Sequence, residues 1–432
     1  AFFNSAGSFR PLVSQGNKGF DRLRCRRASQ GLFGCSIPLQ AFRQAGQTCP
    51  IGSCRHKTGR NPVLQVQVGG FRIQHFDQRQ EAGYGITRAR GQRVLRHQRA
   101  GRVPQRLRTF AGAPAHFRDE DFAEVTLVDS AAEVAAQADV LLCVQAPSAE
   151  LIGAMKPGAV LIGLLQPWSD AERAKRLADK QITAFAMELL PRISRAQSMD
   201  VLSSQGAVAG YECALIAADH SPKFFPMLTY AAGTIRPAKV LVIGAGVAGL
   251  QAVATARRLG AQVECFDVRP ETREQIESLG GRFLDLGVSA AGEGGYARAL
   301  TDEERAEQQK RLGEHLRGID AIVCTAAVPG RPAPKIITAG MVAGMAPGSV
   351  IVDLAAETGG NCELTQPGET IDSGGVTIAG PLNLASSGAL HASEMFARNV
   401  FNFASLLVDG GALAFDWEDE LLAKTVWPPR EA

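Results

Sequence analysis

No uninterrupted apolar run in this chain is long enough to cross a bilayer. The longest, Val240 to Ala256, is broken by Gly244, Gly246, Gly249 and Gln251 and stops at Arg257 and Arg258, short of the ~20 apolar residues a spanning helix needs. Cysteine is not arranged as a framework either. The nine cysteines are scattered, and Cys143, Cys213, Cys265 and Cys324 sit inside apolar runs, which suits small buried side chains in a reducing compartment better than disulfides. Cys49 and Cys54 make at best a weak pair. No Ser/His/Asp set and no metal-ligand spacing stands out.

Acidic residues are nearly missing from the front. Residues 1–110 hold 18 Arg and 2 Lys against 2 Asp and 1 Glu, a net +17, which leaves −14 for the rest of a chain whose total is +3. This segment has no helical or strand periodicity over a useful length and is rich in Arg, Gln, Gly and Ser. Three readings compete: a transit-like extension, a basic arm for nucleic acid, and a stretch that is not the natural product of the gene, such as a wrong-frame translation. Its length, its scattered Gln and Cys and an initial Ala in place of Met favour the third, and a nucleic-acid partner is not expected. Residues 1–114 are therefore read as an atypical segment, disordered or not native-like.

From about Ala115 the pattern becomes regular, and at 45% hydrophobic and 21% charged the chain can bury cores for two or three domains. Ser130 with Glu133 forms a capping-box signature ahead of "AAEVAAQA". Short apolar runs then alternate with helical segments: "DVLLCVQ", "AVLIGLLQ" and "ITAFAME" as strands, "SAELIGAM" and "DAERAKRLADK" as helices. Such alternation argues for parallel strands buried on both faces. Met199 to Pro237 reads as largely helical, punctuated by Pro222, Pro226 and Pro237. A second βαβ array follows: "KVLVIG", a helix to Leu259, "QVECFD", "PETREQIESLG", "DAIVCTAA", "TAGMVAGM" and "SVIVDLA". "HASEMFARNVFNFASLLV" has helical spacing and is expected to return to the first domain. The expectation is an α/β chain with two doubly wound, Rossmann-like domains: 115–203, completed by 386–432, and 204–385.

Gly244, Gly246, Val247 and Gly249 lie in a G-x-G-x-x-G pattern between a strand and a helix. The first glycine allows the tight turn, the second lets backbone approach a pyrophosphate, and the third lets helix and strand pack closely, with the helix N-terminus facing the phosphates. The pattern alone is weak, since glycines also simply make turns. Its context is what carries weight: strand before, helix after, and Asp267 at the end of the next strand, 18 residues past the last glycine. A carboxylate there accepts from ribose hydroxyls and repels a 2′-phosphate, so NAD(H) is expected over NADP(H). Arg269 is read as a solvated residue at a helix start, with a swing toward a 2′-phosphate as the alternative.

Histidine is scarce where a dehydrogenase of hydroxy or amino acids would need a proton relay. The organised region offers His116, His220, His315 and His391, and the contexts of His220 and His315 suit surface positions.

"LLPRISRAQSMDVLSSQGAVAGY" (Leu189 to Tyr211), the glycine-motif stretch up to "FDVRP", "GGYARAL" (Gly294 to Leu300), "AAVPGRPAPKIIT" (Ala326 to Thr338) and "GSVIVDLAAETGGNCELT" (Gly348 to Thr365) closely resemble the NAD(H)-binding alpha subunit of proton-translocating nicotinamide nucleotide transhydrogenase. The likeness runs from about Ala115 to the C-terminus, and "PRISRAQSMDVLSSQ" separates this family from the related alanine dehydrogenases. The resemblance implies direct hydride transfer from NADH on this subunit to NADP⁺ on an NADP(H)-binding beta subunit, a step that needs no general base, while protons cross through another part of the complex. It further implies that Arg192, Gln197, Asp200 and Ser203 hold the nicotinamide end, although Ser194, Ser198 and Asp200 are also good helix-capping types. The glycine-rich Gly287 to Gly295, leading to Tyr296, resembles the family's mobile loop and is expected to act as a lid; a flexible linker is the plainer reading.

The remaining expectations follow from the same likeness. They are the split form of the subunit, a homodimer, a membrane-anchoring partner, and a peripheral position on the cytoplasmic face of a bacterial inner membrane. Family members start with βα units that residues 1–114 lack, so the first domain and the dimer are expected to be compromised while the second domain still binds NADH. Two other functions remain open: an alanine-dehydrogenase-like oxidoreductase and a non-catalytic NAD-binding module.

Overall fold

The computed structural model describes residues 106–108, 111–122, 125–287, 301–409 and 411–430. Most of the basic segment and the glycine-rich stretch leading to Tyr296, expected above to act as a lid, lie outside the described residues. The organised chain begins earlier than Ala115. Strand β1 (Arg106–Arg108) pairs in parallel with β2 (Thr126–Val128), and Leu107 is buried beside Phe117 and Phe122. Three residues, two of them arginine, are too few to show a period, which is why this strand is not visible in the sequence.

Three parallel strands, β3 (Val140–Cys143), β4 (Val160–Gly163) and β5 (Thr183–Ala186), form the first sheet in the order β3-β4-β5. Their side chains alternate between two cores, as the period of 2 in a strand dictates. Leu141, Leu161 and Ala184 face Ile152, Met155 and Leu177 from the crossover helices Ala149–Ala154 and Ala171–Asp179. Val140, Leu142, Val160, Ile162 and Phe185 face the other way. The helix Ala389–Ala404 covers that second face, bringing Phe396, Val400 and Phe403, with Phe403 packed edge-on to Phe185 at 5.2 Å between centroids. The edge of β5 is closed by Trp427, whose N–H donates to the Ala184 carbonyl at 2.8 Å. Ser130 caps the helix Ala131–Gln137 by accepting from Ala132 N–H, without the reciprocal Glu133 bond that the sequence signature suggests.

The stretch 199–237 is helical only over Val201–His220. Beyond Pro222 and Pro226 it makes a hairpin of β6 (Leu228–Tyr230) and β7 (Gly233–Ile235), turned at Gly233 with φ 125°, a conformation open to glycine. Two short strands with little burial leave no periodic signal against the apolar helix before them.

The second sheet has seven strands in the order β10-β9-β8-β11-β12-β14-β13. These are β8 (Lys239–Ile243), β9 (Gln262–Phe266), β10 (Arg282–Phe283), β11 (Ala321–Cys324), β12 (Val350–Asp353), β13 (Thr370–Ser373) and β14 (Val376–Ala379). All pair in parallel except β13 with β14, a hairpin turned by Gly374 and Gly375, both at positive φ, as such two-residue turns require. From β8 the chain winds first to β9 and β10, then crosses back to β11. This places a topological switch point beside β8. Alternate residues feed two cores: Val240, Val242, Val323 and Val352 toward the helices Val201–His220 and Val247–Arg258, and Leu241, Ile243, Ile322 and Ile351 toward the helix Asp302–Leu316. A final hairpin joins β15 (Val408–Asp409) and β16 (Ala412–Leu413) ahead of the helix Glu420–Thr425.

The helix Val201–His220 connects the two sheets. Asn399 accepts from Ser204 Oγ at 2.6 Å, and Gln205 Nε2 donates to the Ala392 carbonyl at 3.1 Å, which ties its first turns to the helix over the first sheet. Further along, Gly206 and Gly210 face the helix Val247–Arg258 so closely that a Cβ on Gly210 would lie 2.0 Å from the Ala248 carbonyl oxygen. Gly210→Ala must push the two helices apart. We expect it to cost about 1–3 kcal/mol or more, the range for overpacking, read as a lower denaturation midpoint in urea.

Candidate functional site

The glycine turn sits at the carboxyl end of β8, at the switch point. Gly244 has φ 97° and donates to the Phe266 carbonyl at 2.8 Å. A Cβ there would meet Thr325 Oγ1 at 2.9 Å and Ala326 N at 3.0 Å, and a Cβ on Gly249 would meet the Gly244 carbonyl oxygen at 1.8 Å. Both glycines are therefore demanded by the chain's own packing. Gly246 differs: its backbone is extended (φ −76°, ψ −174°), and a Cβ there would meet nothing within 4 Å. The packing of the described residues that demands Gly244 and Gly249 therefore places no such demand on Gly246. The space above it lies at the N-terminus of a 12-residue helix with no side-chain cap, where orphan N–H groups favour an anion. Val247, the first helical residue, is 46% exposed on the same turn. These residues fit a dinucleotide pyrophosphate.

Thr325, absent from the residues that the sequence singles out, fixes the turn. Its hydroxyl donates to the Gly244 carbonyl at 3.0 Å and lies 3.1 Å from that of Ile243. Nothing in the run "IVCTAA" marks a threonine as the lock of a turn about 80 residues away in sequence.

Asp267 ends β9 as expected and is buried. One oxygen accepts from Ala245 N–H at 2.7 Å and the other from Arg269 N–H at 2.9 Å. Arg269 is not a solvated helix-start residue. Its guanidinium closes on both carboxylate oxygens, Nε to Oδ1 at 2.9 Å and Nη2 to Oδ2 at 2.7 Å, with 17% of the side chain exposed. The hydrogen bonds to Asp267 raise the guanidinium above its ordinary pKa against the opposing effect of burial. A carboxylate two residues upstream, buried on the same loop, outcompetes water for the arginine.

The 192–203 stretch docks on the first sheet's helical cover. Ala196 and Met199 are buried in the core with Phe396, Asn399 and Asn402 donate to the Ser198 carbonyl, and Arg195 pairs with Asp419. Asp200 caps the helix Val201–His220, accepting from Ser203 N–H at 2.9 Å and from its hydroxyl at 2.5 Å. The structure thus joins Asp200 to Ser203 and leaves the side chains of Arg192 and Gln197 at the surface. Tyr296 lies outside the described residues. The capping reading of Asp200 holds, and the same helix carries this loop to the glycine motif through Gly206 and Gly210.

The loops after β4 and β11 bring the carboxyl ends of the two sheets together. A Cβ on Gly330 would lie 2.7 Å from the Trp168 indole. Trp168 is held in place through Glu188, which accepts from Leu165 N–H at 3.1 Å and Gln166 N–H at 2.8 Å, while Arg173 donates to the Leu165 carbonyl. Burial pushes the Glu188 carboxyl above its ordinary pKa, countered in part by those N–H groups and by Arg173. On the β11 side, buried Asn361 bonds Ala326 N–H and carbonyl and the Pro334 carbonyl, so "AAVPGRPAPKIIT" is pinned by "GGNCELT". Of the four histidines among the described residues, His315 bonds Glu264 at 2.6 Å, and His116, His220 and His391 are exposed.

Two family profiles match, described as the alanine dehydrogenase/PNT N-terminal domain over residues 106–209 and the alanine dehydrogenase/PNT C-terminal domain over residues 213–428. The chain belongs to the alanine dehydrogenase/PNT family. Within it, the chain is 44% identical over 328 residues to the first of the NAD(P) transhydrogenase alpha-subunit polypeptides of Rhodospirillum rubrum, covering 73% of this chain and 85% of that protein. Identity to the alanine dehydrogenase of Mycolicibacterium smegmatis is 29%, over 60% and 65% of the two chains. The crystal structure of transhydrogenase from Sinorhizobium meliloti superposes with a TM-score of 0.68 at 41% identity, over 77% of this chain and 92% of that one. This alanine dehydrogenase/PNT chain is therefore closer to its transhydrogenase relatives than to that alanine dehydrogenase.

The glycines give a direct contrast. Gly246→Ala should leave the melting temperature within a degree or two and weaken dinucleotide binding at least on the order of tenfold, because the methyl enters only the open space. Gly249→Ala should lower the melting temperature by several degrees whether or not nucleotide is present.

Proposed function

We propose that this chain is the NAD(H)-binding subunit of a proton-translocating NAD(P) transhydrogenase, the reductant side of a hydride transfer whose acceptor is NADP⁺ on a beta subunit. The observation that carries the reading is Gly246, a glycine that the packing of the described residues does not demand, at an uncapped helix N-terminus beside a buried carboxylate. The likeness to transhydrogenase alpha subunits supplies the reaction.

In this reading the N–H groups of the 244–249 turn and of Val247 hold the pyrophosphate, and Gly244 and Gly249 keep the turn tight enough to do so. Asp267 receives the adenosine ribose. Arg192, Gln197, Asp200 and Ser203 orient the nicotinamide end, with Gln197 near the second nucleotide. Tyr296 belongs to the lid. Bound NADH supplies the hydride. What the residues contribute is proximity and alignment, which in well-oriented systems is worth roughly 7–11 kcal/mol of barrier. Direct transfer of this kind requires no general base.

A membrane-anchoring subunit and the NADP(H)-binding beta subunit complete the assembly, on the cytoplasmic face of a bacterial inner membrane. Among the described residues no helix is long and apolar enough to cross a membrane. A second copy of the chain is a further partner, supported by the β6–β7 hairpin and its approach: Phe224, Met227, Tyr230 and Ile235 are 57%, 63%, 73% and 48% exposed. An apolar group of this kind marks an interaction surface.

The chain should bind NADH in preference to NADPH, and with an added NADP(H)-binding subunit should transfer hydride to an NADP⁺ analogue. Binding without transfer would leave a non-catalytic NAD-binding module, and NADH oxidation driven by pyruvate and ammonia would point to an alanine dehydrogenase. For the dimer, Met227→Asp with Tyr230→Asp should shift sedimentation from dimer to monomer while secondary structure is retained.

A further inference from the structure

Trp168 is 50% exposed, a large aromatic ring at the carboxyl end of the first sheet in the loop after β4. What it meets is backbone from the loop after β11 in the second sheet. A Cβ on Gly330 would lie 2.7 Å from the indole Cγ and 2.8 Å from both Cδ1 and Cδ2. Nearly equal distances to three adjacent ring atoms place Gly330 against the face of the ring, not its edge. With φ 75° as well, a side chain at Gly330 would be both strained and obstructed.

Both sides of this contact are held from behind. Gln166, at φ 52°, takes a left-handed backbone that a non-glycine residue keeps only where its surroundings fix it. Glu188 fixes it by accepting from Leu165 N–H and Gln166 N–H. The Gln166 carbonyl accepts from Ser169 N–H at 3.1 Å and from its hydroxyl at 3.0 Å, and Arg173 donates to the Leu165 carbonyl while paired with Asp170 at 3.2 Å. On the other side, Arg331 N–H donates to the Val328 carbonyl and Ala333 N–H to the Thr358 carbonyl, and Asn361 clamps Ala326 and Pro334. That loop begins at Ala326, whose N lies 3.0 Å from where a Cβ on Gly244 would stand. A clamped loop of the first sheet therefore bears on a clamped loop that leads to the glycine turn.

We propose that Trp168 is a positioning residue: its indole, resting on Gly330, sets how far apart the carboxyl ends of the two sheets stand, and with that the place of the 192–203 loop relative to a dinucleotide on the glycine turn. The inference rests on the transhydrogenase reading above and deepens it. The helix Val201–His220 joins the sheets at Gly210, and one point of contact leaves them free to hinge about it. A second point, made by a rigid ring against backbone, fixes the angle. The glycine turn belongs wholly to the second sheet, so a cleft that opens keeps its dinucleotide and loses its alignment. Alignment is where rate is most sensitive, since a displacement of about 1 Å can cost on the order of a hundredfold.

The test uses the full chain in three forms: natural, Trp168→Phe and Trp168→Ala. Phe keeps Cγ and both Cδ atoms, the ones that Gly330 meets, whereas Ala removes them. None of the hydrogen bonds that hold the loop uses the indole, so truncation should leave the chain folded, which circular dichroism checks. NADH affinity, from nucleotide fluorescence, should stay within about twofold in all three. With an added NADP(H)-binding subunit and saturating NADH, hydride transfer should fall on the order of tenfold or more in Trp168→Ala and stay within about twofold in Trp168→Phe, a loss in kcat and not in KM. Without nucleotide or partner, amide hydrogen exchange over residues 326–334 should speed up severalfold in Trp168→Ala and not in Trp168→Phe.

Transfer by Trp168→Ala at the natural rate overturns the proposal. So does an equal loss in Trp168→Phe, which would assign the effect to the indole itself, or a matching loss of NADH affinity, which would make Trp168 a ligand. A natural chain that binds NADH and transfers nothing to the partner overturns the transhydrogenase reading instead. The contact is then judged by hydrogen exchange alone, and unchanged exchange in Trp168→Ala overturns it too.

Discussion

The close approach of two helices at Gly210 and Ala248 is the contact on which the rest of the arrangement depends. One helix begins at Asp200, in the loop docked on the first sheet's cover, and the other begins at the glycine turn. A backbone-to-backbone approach leaves no room for a side chain at Gly210, so their separation cannot be adjusted by rotamer changes. Dense packing of this kind transmits position over distance. Here it fixes where the 192–203 loop stands relative to the nucleotide turn, which is the quantity that matters if catalysis is alignment rather than acid–base chemistry.

Around that contact, polar groups hold the loops that face the cleft. Thr325 and Asn361 bond backbone of the β8 and β11 loops, and Glu188 bonds the turn that carries Trp168. Each spans 20 or more residues of sequence and bonds backbone, so each defines a loop shape rather than adding general stability. A buried polar group left without a partner costs about 1–3 kcal/mol; a loop that slipped would strand several at once. The site is thus built on rigid elements with its loops clamped, as a binding site needs to be if little binding energy is to go into ordering it.

Much of this was legible in the sequence, for identifiable reasons. Strands buried on both faces read as apolar runs, and β3, β4, β5, β8, β11 and β12 largely coincide with theirs, while β9 carries Gln262 and Glu264 and was legible from its place after the glycine-motif helix. The glycine turn and Asp267 were legible because local backbone chemistry dictates them. The β13–β14 and β6–β7 hairpins were not, since strands of three or four residues with half their side chains exposed carry no period. The strand at Arg106–Arg108 was hidden because β1 is defined by its partner β2 and not by its own composition. Arg269 was misplaced for a related reason: a helix-start arginine is solvated by default, and only the fold reveals that the preceding carboxylate is buried within its reach.

The sequence by itself determined the α/β class, the parallel cores, the turn at Gly244–Gly249 and the acidic residue after β9, because each is set by neighbours within a few residues or by a simple period. Tertiary structure alone decided which of the three motif glycines the packing of the described residues requires and which has open space beside it. It also decided which side chains of the helix Ala389–Ala404 meet the first sheet, and that Asp267 comes with its own cation attached. These are matters of what occupies the space around a residue, and that space is filled by segments distant in the chain, whose approach no local pattern records.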